Sequence, residues 1–425
     1  LLSRARPRLC DVRGALTMRG TLSGVKVADF SRVLAGPHCA KTLLDLGADV
    51  IKIEPPATDF SRMAYPRNGE TSGYYAQQNA GKRNVSINLN VPAAREIALR
   101  LCDQADVIVE NFRPGTMAAF GLDYENIRKR NPRVVYASIT GYGQQGVWSS
   151  RMAYAPTVHA EAGITANTAN QFGKPNGSLR TDSLSHADVY SGLHGAIAIL
   201  AALRHRDLTG EGQYIDIAMA AVMLSINERL HYDLSDVELC DETPVLGATD
   251  CPFFVGPGGE TFVSSMSLVS SLSFPLYLIA MRRLDLMTDP RFATPELRKK
   301  NLEELHALVQ EWIWTFSDMA TLDAQLDLAK IATGQVRHVK EIASSAWAAE
   351  WSAIESVSDR VGGEWKLPGR PWHFSQTNGD RSTPKLPALQ GEHNDEVLLE
   401  LGFSAEEIAK LRASKALVQP SRHAN

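Results

Sequence analysis

The sequence predicts an α/β fold with a mainly parallel sheet, because short apolar strands alternate with helices along the first half of the chain. In the first such unit, residues 25–30 form a strand, residues 37–46 a helix and residues 49–54 the next strand. Pro37 suits the first turn of that helix, and Gly47 ends it as a left-handed cap. Strands joined in this way lie parallel, and their connection is right-handed.

The alternation continues towards residue 217, which extends the predicted sheet. The further predicted elements are the strands 84–88, 106–110, 133–138 and 212–217 and the helices 91–104 and 124–130. A helix rich in small residues is expected from Gly192 to Leu203, just after Asp188.

The alternation of strands and helices stops near residue 235, which predicts a second domain. Amphipathic helices at 301–316 and 319–329 place a small domain at 240–335, between the two parts of a large domain, 18–235 and 336–425. The stretch 362–387 is rich in Gly, Pro and Trp and predicts a long connector. Helix returns at 394–417, where Ser404 and Glu407 form a capping box.

Composition excludes several classes of function. The 425 residues are 44% hydrophobic and 22% charged, as in ordinary globular proteins, and the net charge of −4 argues against nucleic acid and anionic membranes as partners. No apolar run approaches the ~20 residues of a membrane helix. The five cysteines lack ligand spacing, so we expect no zinc or other metal site, no disulfide framework, and a reducing compartment such as the cytoplasm.

Residues 1–17 differ from the rest of the chain, because four arginines face a single acid. Such a segment is typical of a transit peptide, which would direct the protein to the mitochondrial matrix. It is equally typical of an extension or disordered segment before a start at Met18. We exclude it from the predicted fold.

Asp188 is the candidate catalytic residue. A carboxylate at the start of a helix meets free N–H groups and the positive end of the helix dipole, which both favour its ionised form. It could cap the helix, hold a metal or attack a carbonyl carbon. The segment alone favours the cap.

Candidate binding residues lie in loops that follow the predicted strands. Residues 32–37 follow the first strand, at the edge where α/β proteins bind ligands, and Lys82 and Arg83 could contact phosphates. Asn111 and Phe112 follow a buried strand, and the Phe112 ring could stack on a purine. The chain lacks the glycine-rich, Walker A, nucleophile-elbow and HExxH motifs, so those four site types are not supported.

Several of these segments together resemble the class III CoA-transferases, the CaiB/BaiF family that includes formyl-CoA transferase. The resemblance spans about residues 22–402 and rests on the segments 22–37, 46–54, 79–83, 109–115 and 136–143 and on Ala187-Asp188 followed by Ser191-Gly192.

The resemblance implies a large α/β domain formed by both chain ends, a smaller inserted domain, and an interlocked homodimer. It implies CoA transfer from an acyl-CoA donor to a carboxylic acid, with Asp188 forming a mixed anhydride and then an aspartyl-CoA thioester. CoA enters as the acyl-CoA substrate, and no metal is needed. The implied CoA-binding residues are Arg32, Val33, Ala35, Lys82, Arg83, Asn111, Phe112 and Tyr142.

Four positions differ from formyl-CoA transferase, which makes oxalate chemistry doubtful. They are Leu34, Pro55, Ala119 and Thr140, where that enzyme has glutamine, arginine, arginine and lysine. A dicarboxylic donor such as succinyl-CoA is favoured instead, because Arg32, Arg151 or Arg180 could bind a second carboxylate.

Two alternatives stay open. An α-methylacyl-CoA racemase on the same fold would need an acid/base pair, but Tyr154 stands at the position of the racemase histidine, and His159 lies five residues further on. A non-catalytic CoA-binding protein would use Asp188 only as a cap.

Overall fold

A computed structural model describes residues 20–171, 179–235, 251–377 and 386–418. The predicted extension 1–17 lies outside these ranges. The chain forms two compact units, one from the described residues up to Glu228 together with those from Trp351 onwards, and one from Arg229–Glu350. This confirms a large unit built from both chain ends with a smaller unit inserted, whereas the boundaries at 235, 240 and 335 stay predictions.

The first unit is built on a six-stranded sheet, in which every neighbouring pair of strands is parallel. The strands of its first part, including the short hairpin β3–β4, are β1 (Lys26–Asp29), β2 (Asp49–Glu54), β3 (Arg67–Asn68), β4 (Thr71–Ser72), β5 (Arg83–Ser86), β6 (Val107–Glu110), β7 (Val135–Thr140) and β8 (Tyr214–Ala218). The order across the sheet is β5-β2-β1-β6-β7-β8. The predicted mainly parallel sheet is confirmed.

Side chains of the central strands alternate between two apolar cores. Val27 and Val107 belong to the core on one face, whereas their neighbours Ala28 and Ile108 belong to the core on the other. Both faces of a parallel sheet are covered by helices, so these strands are apolar at nearly every position.

The helices of the first part are α1 (Ala35–Asp45), α2 (Gly73–Asn79), α3 (Pro92–Gln104), α4 (Thr116–Ala119), α5 (Tyr124–Arg130), α6 (Ala155–Glu161), α7 (Ile164–Gln171), α8 (His186–Thr209) and α9 (Met219–Ser225). A 3₁₀ helix spans Phe60–Met63. Helices α1, α8 and α9 contribute to the core that contains Val27, and α3 and α5 to the core that contains Ala28. The sheet is therefore wound on both faces.

The second unit has its own core, which includes Phe254, Phe262 and Phe274. Its strands, which pair in the antiparallel order β11-β10-β9, are β9 (Phe253–Val255), β10 (Thr261–Ser264) and β11 (Thr333–Gln335). Its helices are α10 (Leu230–Asp233), α11 (Phe274–Met281), α12 (Pro295–Lys300), α13 (Leu302–Ile313), α14 (Met319–Leu328), α15 (Val339–Ala343) and α16 (Ala346–Trp351), with a 3₁₀ helix at Leu284–Thr288.

The chain then returns to the first unit. An antiparallel hairpin of β12 (Ile354–Ser358) and β13 (Glu364–Pro368) precedes helices α17 (Asn394–Glu400) and α18 (Ala405–Ala413). The prediction of a connector from 362 onwards is therefore wrong at its start, where Trp365 and Leu367 are buried in a small core with α2. The predicted capping box at Ser404 is confirmed. None of the described helices is long and apolar enough to cross a bilayer.

Candidate active site

Asp188 lies in the first turn of α8 and not at its cap position, which Ser185 occupies. The helix begins at His186, earlier than predicted. Backbone N–H groups at the starts of two other helices, from Ala35 in α1 and Ala155 in α6, are placed so that they lower the pKa of the Asp188 carboxyl group. The half-buried carboxylate thus meets N–H groups from three chain segments.

Burial and hydrogen-bond donors have opposite effects on the pKa of Asp188. Burial raises the pKa of Asp188 to about 6, and the N–H groups of Ala35, Ala155 and Asp188 itself oppose that rise. The Tyr74 phenol is near enough to be affected by the same carboxylate, because burial, followed by the charges of Asp188 and Asp59, raises the pKa of Tyr74 to about 12. A desolvated carboxylate that is still ionised near neutral pH is suited to act as a nucleophile.

Gly192 brings α8 close to the start of α1. A Cβ atom at this position would lie 2.7 Å from the carbonyl oxygen of Ala35 and 3.1 Å from the backbone nitrogen of Cys39. Only glycine therefore allows this contact, which sets Asp188, one turn earlier, against Ala35. Ser191 beside it is fully buried.

The predicted loop residues Arg32, Asn111 and Phe112 come together. The Asn111 side chain accepts a hydrogen bond from the Arg32 N–H (2.8 Å) and donates one to the Arg32 carbonyl oxygen (2.9 Å). The Arg32 guanidinium carbon lies 5.2 Å from the centre of the Phe112 ring. Nε of Arg32 is buried without a hydrogen-bond partner among the described residues. Arg32 and Phe112 thus offer a cation and a ring to a ligand.

Lys82 is buried and its ammonium group is fully engaged. It donates to Asp29 Oδ2 (2.8 Å), the Pro37 carbonyl oxygen (2.9 Å) and Asn79 Oδ1 (2.9 Å). Burial, only partly offset by Asp29, lowers the pKa of Lys82 to about 8. An ammonium has three donors, so this arrangement leaves none for a phosphate, and the predicted phosphate contact is not supported.

Arg83 also has its partners within the protein. Its guanidinium bonds Asp49 (2.6 Å), Glu396 (3.0 Å) and Glu400 (2.8 Å). Arg83 and Asp49 begin β5 and β2, at the amino edge of the sheet, whereas the loop of Arg32 follows the carboxyl end of β1. The predicted phosphate contact of Arg83 is therefore not supported either.

Tyr142 lies in the loop after β7 within an aromatic and cationic cluster. Its ring contacts Trp148 edge to face, with centroids 5.4 Å apart, and the Arg151 guanidinium carbon lies 5.2 Å from its centre. Arg151 also pairs with Glu161, so its charge is already neutralised. The predicted contact of Arg151 with a dicarboxylate is thus less favoured than that of Arg32.

Comparison with known proteins identifies the family. Residues 22–394 match CoA-transferase family III. The formyl-CoA:oxalate CoA-transferase of Streptomyces avermitilis is 31% identical, over 93% of this chain and 99% of its own. The succinyl-CoA:mesaconate CoA-transferase of Haloarcula marismortui is 31% identical, over 90% of this chain and 97% of its own.

The chain belongs to CoA-transferase family III. A crystal structure of a CaiB/BaiF family protein from Brucella suis matches with a TM-score of 0.73 and 28% identity, over 90% of this chain and 100% of that one. The predicted family, fold class and enzyme type are confirmed, and CoA is accordingly a substrate. The part of the chain that the structure describes contains no group of three metal-ligating side chains.

In this CoA-transferase, His159 has a role that the sequence did not reveal. Its buried ring accepts the Ala187 N–H at Nε2, 3.0 Å away, next to Asp188. Burial, followed by the charge of His186, lowers the pKa of His159, which favours the neutral form that can accept. Because this contact joins distant chain segments, no local signal in the sequence could have shown it.

A second unpredicted feature of the CoA-transferase is a cavity of about 310 Å³ beyond the end of β6. Glu110 lines it and accepts the Phe112 N–H at 2.8 Å. Burial raises the pKa of Glu110 to about 7, against opposing hydrogen bonds from Ser138 and Phe112. Glu110 thus supports the loop that carries Asn111 and Phe112.

Proposed function

We propose that this CoA-transferase moves CoA between two carboxylic acids with Asp188 as the nucleophile. The carboxylate between the N–H groups of Ala35 and Ala155 carries the proposal. Those donors favour its ionised form, and donors fixed in this way are suited to receive charge that develops on a substrate oxygen.

The proposed reaction begins when an Asp188 oxygen attacks the thioester carbon of the acyl-CoA and the C–S bond breaks. This gives a mixed anhydride and CoA thiolate. The thiolate attacks the Asp188 carbonyl carbon, which releases the donor acid and leaves an aspartyl-CoA thioester. The acceptor carboxylate attacks that thioester and forms a second anhydride, from which the thiolate takes the acceptor acyl group and frees Asp188. No step requires a net proton.

The structure offers little support for the racemase alternative. Tyr154 is 63% exposed, and Nε2 of His159 is occupied by the Ala187 N–H. Neither residue forms an acid/base pair with Asp188 in the described contacts. A racemase would need such a pair on opposite sides of the α-carbon.

We further propose a dicarboxylic acid as one substrate. The names of both relatives include a dicarboxylic acid, and Nε of Arg32, in the site loop, is a donor without a partner among the described residues. Arg32, Val33, Ala35, Asn111, Phe112 and Tyr142 remain the proposed CoA contacts. The interlocked homodimer and the reducing compartment stay predictions from the sequence.

The proposal predicts that Asp188→Asn abolishes transfer, with a loss of several orders of magnitude in kcat. Incubation of the wild type with succinyl-CoA and hydroxylamine should place a hydroxamate on the peptide that contains Asp188, as detected by mass spectrometry. The matched control is Asp182→Asn, which removes an exposed carboxylate six residues earlier and should keep its activity. Transfer by Asp188→Asn, or trapping at another residue, would refute the nucleophile assignment.

A further inference from the structure

We propose that Asp59 is a positioning residue for the transfer reaction. Its carboxylate holds Val33 in a left-handed backbone conformation, which directs the first N–H group of α1 onto Asp188. The inference rests on the proposed role of Asp188. None of the described contacts of Asp59 includes Asp188, so Asp59 acts through the loop between them.

Val33 has an unusual backbone conformation for its residue type. Its φ angle is 64°, in the left-handed region that valine, with two heavy atoms on Cβ, strongly disfavours. Its N–H is shared between the two carboxylate oxygens of Asp59, at 3.2 and 3.3 Å. Such a conformation persists only where surrounding contacts hold it, and these cluster at functional sites.

Asp59 is itself fixed on every side. It is fully buried, and Lys52 Nζ lies 3.0 Å from its Oδ2. Ser61 donates to Oδ1 from its backbone N–H (2.9 Å) and from its hydroxyl (2.8 Å). Burial alone would raise the pKa of Asp59, but Lys52 and the Ser61 donors lower it to about 2, so the carboxylate stays charged.

Lys52, the partner of Asp59, also fixes Ser31, two residues before Val33. Its ammonium donates to the Ser31 carbonyl oxygen at 2.8 Å, while its partner Asp59 accepts from Val33. The intervening Arg32 is held by Asn111 through both backbone groups. Ser31, Arg32 and Val33 are thus each held by a side chain from another segment, and two of these side chains, Lys52 and Asp59, are fully buried.

The loop passes this constraint to Ala35, two residues after Val33. A Cβ atom at Gly36 would lie 2.2 Å from the Cβ of Ser31, so the chain turns back tightly on itself. Ala35 lies between Val33, which Asp59 holds, and Gly36, which packs against Ser31. Its N–H group therefore has little freedom to move, and this N–H lowers the pKa of Asp188. A shift of the loop would weaken this interaction.

The test is a double-mutant cycle of Asp59→Asn and Val33→Gly. Asparagine keeps one acceptor oxygen for the donors of Lys52, Ser61 and Val33, so the hold on Val33 weakens. Glycine adopts positive φ without strain and needs no hold. We expect Asp59→Asn to lower kcat on the order of ten- to a hundred-fold in the wild-type background, but by less than about three-fold when it is introduced into Val33→Gly, whose own kcat is the reference for the double variant.

Two further measurements separate positioning from a loss of stability. The double variant should stay as unstable as Asp59→Asn, because Lys52 still lacks its carboxylate, although its kcat recovers. The acid limb of kcat/KM should move to higher pH in Asp59→Asn, because Asp188 loses support for its ionised form. Failure of Val33→Gly to restore kcat, or an unmoved acid limb, would overturn the proposal.

Asp106→Asn is the matched control. Asp106 also accepts a backbone N–H, from Lys26 at 2.8 Å, and pairs with the buried Arg206 at 2.7 Å, but it lies at the amino end of the sheet. It should lose stability without a shift of the acid limb. If Asp59→Asn does not fold, Ser61→Ala removes one donor to Asp59 and should give smaller changes of the same sign that Val33→Gly corrects.

The inference and the proposed function can fail separately. Asp188→Asn should be inactive whether or not Asp59 positions the loop. An inactive Asp188→Asn together with an unsuccessful rescue would overturn only the inference, whereas an active Asp188→Asn would overturn the proposed function.

Discussion

At the scale of single residues, the site contains buried ionisable groups that differ in how far hydrogen bonds or opposite charges offset the cost of burying their charge. Asp188 is desolvated but receives backbone N–H donors, so its pKa rises only to about 6. Lys82 and Asp29 are both buried and form an ion pair, with Nζ and Oδ2 2.8 Å apart. Glu110 has no cation within bonding distance among its described contacts, and burial raises its pKa to about 7. The contribution of Glu110 to the free energy of unfolding should therefore depend most clearly on pH.

Glu110→Gln should raise the free energy of unfolding above that of the wild type at pH 8, and by much less at pH 5. The pKa of Glu110 is raised in the fold from 4.5 to about 7, so the folded state holds its proton more tightly than the unfolded state does. Its stabilising contribution is present below pH 4.5 and is lost as the pH rises to about 7, by about 3 kcal/mol in the free energy of unfolding. Glutamine does not ionise and escapes this loss.

The measurement is urea unfolding of both proteins at several pH values. The control is Glu125→Gln, which removes an exposed carboxylate at the same cavity, where solvent screens its charge. A difference between Glu110→Gln and the wild type that stays constant from pH 5 to pH 8 would contradict the raised pKa of Glu110.

At the scale of elements, the site depends on how closely α8 approaches α1. Gly192→Ala should lower both kcat and the free energy of unfolding. The new Cβ would meet backbone atoms of Ala35 and Cys39 at 2.7 and 3.1 Å, and backbone cannot move aside as a side chain can. The two helices must separate, which withdraws the Ala35 N–H from Asp188. We expect destabilisation of about 1–3 kcal/mol, as for other overpacked cores.

Gly195→Ala is the control on the same helix. Its Cβ would meet only side-chain atoms, Cys39 Sγ at 3.1 Å and the Cδ1 atoms of Ile139 and Ile217 at 3.2 and 3.3 Å. These can shift, and alanine gains about 1 kcal/mol of helix propensity over glycine. Denaturant unfolding and steady-state kinetics should leave Gly195→Ala near the wild type. Equal effects of the two substitutions would argue against the proposed α1–α8 contact.

The elements with a clear period could be predicted from the sequence. Strand β2 and helix α5 have their predicted bounds, because an apolar run or a capped amphipathic turn fixes each of them locally. The start of α8 was misplaced, because the first turn of that helix is set by contacts with α1 and α6. The hairpin at β13 was missed, because glycine and proline around it indicate turns but not their pairing.

The candidate site could be predicted only in part. The family motifs predict Asp188 and the loop of Arg32 as site residues, but they do not tell a ligand contact from a structural pair. Lys82 and Arg83 were expected at phosphates because an isolated sequence shows a cation and not its partner. The acids that neutralise these cations, such as Asp29 and Glu400, lie 53 and 317 positions away.

At the scale of the whole molecule, the C-terminal segment packs against the sheet that the N-terminal half forms. Residues Val397, Leu398 and Leu411 share a core with Ile53 and Val85. Beside that core, polar side chains join the outer strand β5 to the end of the described chain. The loops around Asp188 lie elsewhere in the first unit, so weakening this junction should affect stability more than the proposed transfer reaction.

Asn394→Ala tests this separation. Asn394 is buried, and its side chain accepts the Ser86 N–H (2.9 Å) and donates to the Val418 carbonyl oxygen (2.7 Å). Alanine leaves both backbone groups unpaired, at about 1–3 kcal/mol each, so the free energy of unfolding should fall by about 2–6 kcal/mol. Because neither group touches the Asp188 site, kcat/KM measured well below the unfolding temperature should stay within about two-fold of the wild type.

Arg83→Met is the comparison at the same junction. It removes the pairs with Asp49, Glu396 and Glu400, whose carboxylates are about half exposed. Solvent screens such pairs, so the expected loss is about 1 kcal/mol, clearly less than for Asn394→Ala. Urea unfolding measured alongside kcat/KM distinguishes the two junction contacts. A larger loss in Arg83→Met would mean that surface charge, rather than buried hydrogen bonds, holds the chain end to β5. A fall in kcat/KM for Asn394→Ala in the folded protein would mean that the junction and the active site are coupled.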